Sequence, residues 1–226
     1  MDGILLFNKP ILWTSHDAVD FVRRRLGQTA VGHTGTLDPL ATGLLVLLLG
    51  KATKLSQELS HLDKSYFGGM TLGITTDTQD LEGKILSSAP YHQVDSEEIL
   101  RVFSESSGTQ LQTPPLFSAV KRKGKTLYAW ARQGVSVQTE SREITISDLR
   151  LLNFESPEIY FSLTCSKGTY VRTLCDAIGK KLNCGATLSS LVRNRVGKFT
   201  LEKSLNEESI SRFSLEEIEK HLVTRQ

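Results

Sequence analysis

Gly32-His33-Thr34-Gly35-Thr36-Leu37-Asp38-Pro39-Leu40-Ala41-Thr42-Gly43 runs without a break into the apolar segment Leu44 to Leu49, and this junction decides the fold. The apolar segment is short, bounded by Gly43 and Gly50 and followed by Lys51, which predicts a buried strand. The stretch before it holds three glycines, three threonines and one acid, so Asp38 sits in a polar loop at the entrance to the core. Pro39 biases Asp38 away from the α region and projects its side chain from an extended or turn backbone. Read alone, this is an Asp-Pro turn whose carboxylate caps neighbouring N–H groups.

Around the junction the chain reads as alternating strand and helix. Ile4 to Phe7 is a first strand closed by Lys9-Pro10, and Ser15 is the N-cap of a helix through Leu26, with Ala18, Val22 and Leu26 on one face and Gly27 as its stop. After the Leu44 to Leu49 strand, Leu55, Leu59 and Leu62 share a helical face, and Lys64 to Gly73 is another strand. Leu72 to Gly83 reads as a polar loop, Ser96 as the cap of a helix to about Phe103, and Ser118 to Lys123 as a basic strand or arm. Leu127 to Arg132 is helical and stopped by Gly134. Ile144 to Phe154 and Ile159 to Cys165 are adjacent strands turning at Glu155-Ser156-Pro157. Tyr170 to Leu182 is a helix, Leu188 to Phe199 mixes apolar and basic residues, and Ser214 caps a last acidic helix. With no internal repeat and no obvious linker, the expected organisation is one body over 1–200 and an appended helix and tail over 201–226.

With 226 residues, 39% of them hydrophobic, the chain can bury a substantial core. The net charge of +2 by itself predicts no polyanionic partner, but the first two hundred residues hold 23 bases against 19 acids because the tail is acidic. Basic groups at Arg23-Arg24-Arg25, at Lys121-Arg122-Lys123 with Lys125, and at Arg193, Arg195 and Lys198 make nucleic-acid binding admissible. Cys165, Cys175 and Cys184 are odd in number and lack C-x-x-C spacing, which indicates reduced thiols and a cytoplasmic protein, with neither a disulfide framework nor a zinc site. The histidines lack ligand spacing, so no metal is expected; no signal sequence or membrane span is read either.

Two motifs are eliminated on spacing. Asp77 and Asp80 fall three apart and do not alternate as a calcium loop requires. Gly43 and Gly50 enclose six residues where a P-loop has four, and Ala52 stands where a hydroxyl should hold magnesium, so nucleotide hydrolysis is excluded.

The string Gly32 to Leu45 resembles the catalytic signature of the TruB family of tRNA pseudouridine synthases. The resemblance continues at Lys64 and Tyr66, in Leu-Gly-x-x-Thr-Asp-Thr-x-Asp-x-x-Gly at Leu72 to Gly83, and at Gly124, Leu127-Tyr128 and Ala131-Arg132-x-Gly134. Cys165-Ser166-Lys167-Gly168-Thr169-Tyr170-Val171-Arg172-Thr173 and Cys184-Gly185-Ala186 with Leu191 complete it, so that it spans most of residues 3–199.

This resemblance implies an α+β fold, the pseudouridine synthase fold, with a mostly antiparallel central sheet, flanking helices and a cleft across the sheet. It implies isomerisation of uridine to pseudouridine at position 55 in the T loop of tRNA, without cofactor or metal, by a monomer. Asp38 is the implied catalyst; whether it attacks sugar or base or removes a sugar proton stays open at the level of sequence. Tyr66 is implied to stack on the target base, Arg172 to pair with the catalytic aspartate, and Leu191 to line the pocket. Asp80 matches a second acid near the site and His33 a residue near the everted nucleotides, while Lys9 and Lys54 are expected phosphate contacts. A pseudouridine synthase for another RNA, a tRNA-folding factor with dispensable catalysis and, more remotely, a hydrolytic glycosylase are the rival readings.

Two features depart from the family pattern. Lys9-Pro10-Ile11-Leu12-Trp13-Thr14-Ser15 has Leu12 where the family usually has glycine, a substitution expected to reshape the turn that places Lys9. The residues after Phe199 are too few for the small RNA-binding PUA barrel that many bacterial members carry, so reduced acceptor-stem contact is expected.

Overall fold

The computed structural model describes every residue except Ala119, Lys123, Gly134, Ser136, Gln138 and 224–226, and for Lys121, Tyr128 and Arg132 the backbone alone. The expected stop at Gly134 and the Lys123 end of the basic arm therefore lie outside the described residues. In chain order the first elements are β1 (Gly3–Lys9), α1 (Ser15–Leu26), β2 (Val31–His33), β3 (Ala41–Leu49), a 3-10 turn (Gly50–Leu55), α2 (Ser56–Ser60) and β4 (Lys64–Leu72). β5 (Ile74–Thr76), β6 (Ile85–Ser88), α3 (Ser96–Glu105), β7 (Gly108–Gln112), β8 (Lys121–Arg122), β9 (Lys125–Thr126) and α4 (Leu127–Arg132) follow. The rest are β10 (Arg142–Glu155), β11 (Glu158–Cys165), α5 (Val171–Lys181), β12 (Ala186–Val196), β13 (Phe199–Thr200), a 3-10 turn (Leu201–Lys203), α6 (Glu207–Arg212) and α7 (Leu215–Lys220). The fold is α+β with a mostly antiparallel sheet, as the resemblance implied. The chain forms two compact units, Met1–Phe67 with Leu191–Gln226, and Gly68–Ser190, so β4 and β12 each continue from one unit into the other.

In the first unit the strand order is β1, β3, β12, β4. β1 pairs antiparallel with all of β3, from Gly3 opposite Leu49 to Lys9 opposite Gly43. The other edge of β3 is shared: β2 pairs antiparallel with Leu47 to Leu49, while β12 runs parallel to its start, Leu191 opposite Ala41 and Arg193 opposite Gly43. Hydrogen-bonded along both edges and covered on both faces, Leu44 to Leu49 is wholly buried, which is why it reads as a continuous apolar run with no alternation. Ile4, Leu6, Leu44, Val46 and Leu48 face Leu59, Val196 and Phe199, and Leu55 and Leu62 pack on the same cluster. The opposite face meets α1, with the Phe7 and Phe21 rings 6.1 Å apart. Each such buried leucine or phenylalanine contributes about 1.5–3 kcal/mol.

The cap of α1 is Thr14, one residue before the expected one. Thr14 Oγ1 accepts from Asp17 N at 3.1 Å and Asp17 Oδ2 accepts from Thr14 N at 2.7 Å, a reciprocal capping box. Ser15 is not the cap because its hydroxyl is engaged elsewhere, on Leu37. Gly27 ends the helix as expected, at φ +58°. The tail packs on the same unit: Leu205 N donates to Leu6 O and Asn8 N to Leu205 O, and Ile4 and Val223 exchange backbone hydrogen bonds. Besides the expected acidic helix capped by Ser214, the tail forms α6, capped by Asn206.

In the second unit β12, β4, β11, β10 and β7 lie in that order. β10 and β11 form the expected antiparallel pair, and Ile159, Phe161, Leu163 and Cys165 are buried at alternate positions. α3 covers this face with Ile99, Val102 and Phe103, the Phe103 ring standing perpendicular to Phe161 at 6.5 Å. Its cap is Asp95, whose carboxylate accepts from Glu98 N, and not Ser96. Leu72 to Gly83 is not wholly loop: Ile74 to Thr76 pair with Ile85 to Ser88, a strand of three residues, too short to show alternation. Among the described residues of the expected basic arm, only Lys121–Arg122 is strand, paired with Lys125–Thr126. Among the described residues no helix is long and apolar enough to cross a membrane, and no three His, Cys, Asp or Glu side chains are grouped as for a metal.

Candidate active site

The Asp38 loop leaves β2 at His33 and enters β3 at Ala41, and each peptide flanking Asp38 is tied down from a different element. Before it, Leu37 N donates to Ser15 Oγ at 2.8 Å, and the same hydroxyl donates back to Leu37 O at 3.1 Å. After it, Pro39 O accepts from Leu12 N at 2.9 Å, and Asp38 O accepts from Ala41 N at 3.0 Å, closing the turn. Beneath it lies Arg193, only 2% exposed. Its Nε donates to Leu44 O at 2.7 Å, Nη2 to Gly35 O at 3.1 Å and Nη1 to Thr36 O at 3.4 Å. A buried guanidinium is costly unless its donors are satisfied; here three backbone carbonyls of the loop and of β3 satisfy it, and in exchange they are fixed. Asp38 itself is half-buried.

Leu191, on β12 directly opposite Ala41, comes beside this loop and is 8% exposed. Tyr66, also 8% exposed, lies on β4, next to β12. The first unit thus holds a carboxylate on the loop before β3 and, on the adjacent strands β12 and β4, an aliphatic side chain and a tyrosine. His33 stands at the foot of the loop, its Nδ1 accepting from Gly35 N at 3.3 Å, which leaves the proton on Nε2. Burial, with the Arg193 and His16 charges adding to it, lowers the His33 pKa, so its imidazole is neutral at pH 7.

Two expectations on this unit are corrected. Lys9 is fully buried, its ammonium donating to Pro10 O at 2.9 Å and Trp13 O at 2.5 Å, so it holds the turn and does not reach out to a phosphate. Arg193 is likewise an internal clamp and not part of a basic surface. Its one sequence signal is that period two places it on the face of Leu191. Arg23 and Arg25 also donate to backbone carbonyls, of Val31 and Ile210, which leaves Arg24 as the exposed member of that triplet. Lys54 is exposed, but on the 3-10 turn at the other end of β3, about 26 Å of strand from the Asp38 loop.

Leu12, where a glycine was expected, adopts the conformation a glycine would take, φ +69°, at a cost of about 1–2 kcal/mol. The turn closes with Leu12 in this conformation, and Lys9 is held by its carbonyls.

Arg172 and Asp80 lie together in the second unit, each side chain 5% exposed. Arg172 Nε is 3.6 Å from Asp80 Oδ2. Nη1 donates to Thr78 O at 2.7 Å and Nη2 to Phe117 O at 3.0 Å. Asp80 Oδ1 accepts from Thr78 Oγ1 at 2.5 Å and from Glu82 N at 3.2 Å. Arg172, in the first turn of α5, therefore locks the polar Thr78 to Glu82 turn and the Phe117 segment onto the helix.

Residues 23–171 match the TruB family pseudouridylate synthase N-terminal domain, and 172–224 the tRNA pseudouridylate synthase B C-terminal domain. The chain belongs to the TruB family. Among TruB relatives, tRNA pseudouridine synthase B of Opitutus terrae is 46% identical over 223 residues, 99% of this chain and 92% of that protein. That of Syntrophotalea carbinolica is 48% identical over 210 residues, 93% of this chain and 69% of that protein. Of solved structures, a Cbf5–Nop10–Gar1 complex superposes with a TM-score of 0.74 at 28% identity, over 97% of this chain and 57% of that one. An H/ACA ribonucleoprotein bound to a substrate RNA containing 2′-deoxyuridine does so with a TM-score of 0.69 at 25% identity, over 92% and 51%. As a TruB pseudouridine synthase the protein is an isomerase, and the loop clamped by Arg193 is its signature segment.

Proposed function

We propose that this TruB protein converts the uridine at position 55, in the T loop of tRNA, to pseudouridine in the cytosol, with Asp38 as the catalytic carboxylate. The observation that carries this reading is the immobilisation of the loop on both sides of Asp38 by Ser15, Leu12 and Arg193, with Asp38 itself only half-buried. A reactive group held this way needs little reorganisation when substrate arrives, and a misplacement of about 1 Å can cost on the order of a hundredfold in rate. Residues 1–200 carry this chemistry, and Leu205 to Val223 support β1 and α1.

The reaction breaks the N1–C1′ bond of uridine, forms C5–C1′, releases the C5 proton and protonates N1. Composition is unchanged, so neither an oxidant nor a reductant takes part. One carboxylate suffices to engage the nucleoside while the glycosidic bond changes partner. A uridine inside folded RNA must first be everted, at a cost of a few kcal/mol. Tyr66 and Leu191 supply the aromatic and aliphatic cover that the detached base needs to stay in place. The neutral His33 serves this site as an Nε2–H donor or stacking surface for RNA and not as a phosphate-binding cation. In the second unit Arg172 and Asp80 hold the Thr78 to Glu82 turn.

The test is incubation of the protein and of its Asp38→Asn variant with unmodified tRNA transcript, followed by single-nucleotide mapping of pseudouridine. One pseudouridine in the T loop, absent with the variant, is expected. Modification elsewhere, tRNA binding without modification, or turnover by the variant would each overturn the assignment.

A further inference from the structure

We propose that Leu12 is a specificity-determining contact to the RNA, an apolar side chain held beside the Asp38 loop that packs against bases unstacked when the target uridine turns out. This rests on the reading of the Asp38 loop given above. Leu12 combines a left-handed φ of +69° with 73% exposure, so no packing of the leucine inside the protein offsets its strained backbone. Strain of this kind persists where the surroundings over-determine it, and it gathers at functional positions.

The surroundings do over-determine it. The Lys9 ammonium holds the carbonyls of Pro10 and Trp13 on either side of the turn. The Trp13 ring is anchored edge-on to Phe21 at 5.4 Å and lies 6.3 Å from Phe7. Leu12 N donates to Pro39 O, the residue that follows Asp38. Ile11, 55% exposed, extends the same apolar tip.

Two exposed aliphatic side chains on a rigid turn, tied to the catalytic loop, have the chemistry of a wedge. Apolar side chains pressed between bases replace the stacking that eversion removes. Such a contact selects for a loop that can open and against continuous helix, because only an opened step offers base faces. A glycine at this position would keep the turn and lose the wedge.

The probe is a T stem-loop RNA with 2-aminopurine beside the target uridine, bound to wild type, Leu12→Gly, Leu12→Asn and Leu12→Met. Glycine and asparagine tolerate the left-handed φ, so their melting temperatures are expected to equal or exceed that of wild type. Their fluorescence rise on binding and their single-turnover rate are expected to fall, the rate by about tenfold, as for a leucine left uncovered. Methionine is expected to restore the rate to within about twofold, since its volume and apolarity are similar. Leu12→Gly that matches wild type in both readouts overturns the assignment while leaving the T-loop reading intact. If wild-type protein forms no pseudouridine in this RNA, the T-loop reading falls, and this inference with it.

Discussion

Gly43 and Arg193 stand opposite each other in the parallel register of β3 and β12, so close that a Cβ on Gly43 would lie 2.5 Å from the Arg193 carbonyl oxygen. Gly43 has φ +97°, and the atoms it would meet are backbone, which cannot swing away. The same Arg193 reaches past this contact to hold Gly35 and Thr36. The register of two strands and the position of the Asp38 loop are thus set at one point.

Gly43→Ala is therefore expected to destabilise the fold by about 2–4 kcal/mol, from strained φ and overpacking together. It is also expected to lower kcat far more than it raises KM, because Arg193 moves with its strand. Denaturant titration and steady-state kinetics on tRNA transcript check this; full activity in a destabilised protein would separate register from loop placement.

His33 makes stability depend on pH. Its folded pKa is depressed below the ordinary value of 6.5, so the unfolded chain binds a proton more readily than the native state. The stability tied to neutral His33 is fully present above pH 6.5 and is lost as pH falls toward the depressed folded value. His33→Gln, which cannot titrate, is expected to flatten this part of the profile. Melting temperatures of both proteins from pH 7.5 down to about 5 test it, and unchanged slopes would assign the dependence to other groups.

The Arg172–Asp80 pair predicts a coupled loss. Asp80→Asn takes a charge away from beside a buried guanidinium, and about 3 kcal/mol of destabilisation is expected. Arg172→Met with Asp80→Asn together is expected to cost less than the two single changes added, since neither charge is then stranded. Strict additivity in denaturant titration would show that the pair is not coupled.

Much of the chain could be read without coordinates. Leu44 to Leu49 as a buried strand, the adjacent strands around Pro157 and the Gly27 stop depend on local pattern, and local pattern is legible because it follows from backbone sterics and burial over a few neighbouring residues. The family too was legible, since its motifs are contiguous. Errors of cap position at Ser15 and Ser96 came from neighbours that compete for the same role, Thr14 with Asp17 and Asp95 with Glu98.

The roles of long cationic side chains were not legible. Lys9 and Arg193 read as surface bases, yet both are buried with their donors on backbone carbonyls; Arg193 holds carbonyls that precede it by 149 to 158 positions. Beyond its period-two spacing from Leu191, nothing local distinguishes Arg193 from an arginine that meets solvent, because its partners come from a strand that runs parallel to its own and from the loop before that strand. Sequence by itself determined the elements, the family and the candidate carboxylate, because these are written in short-range periodicity and contiguous motifs. Tertiary structure alone decided what holds Asp38 in place, because hydrogen-bond partners far apart in the chain are chosen by strand pairing and not by neighbourhood.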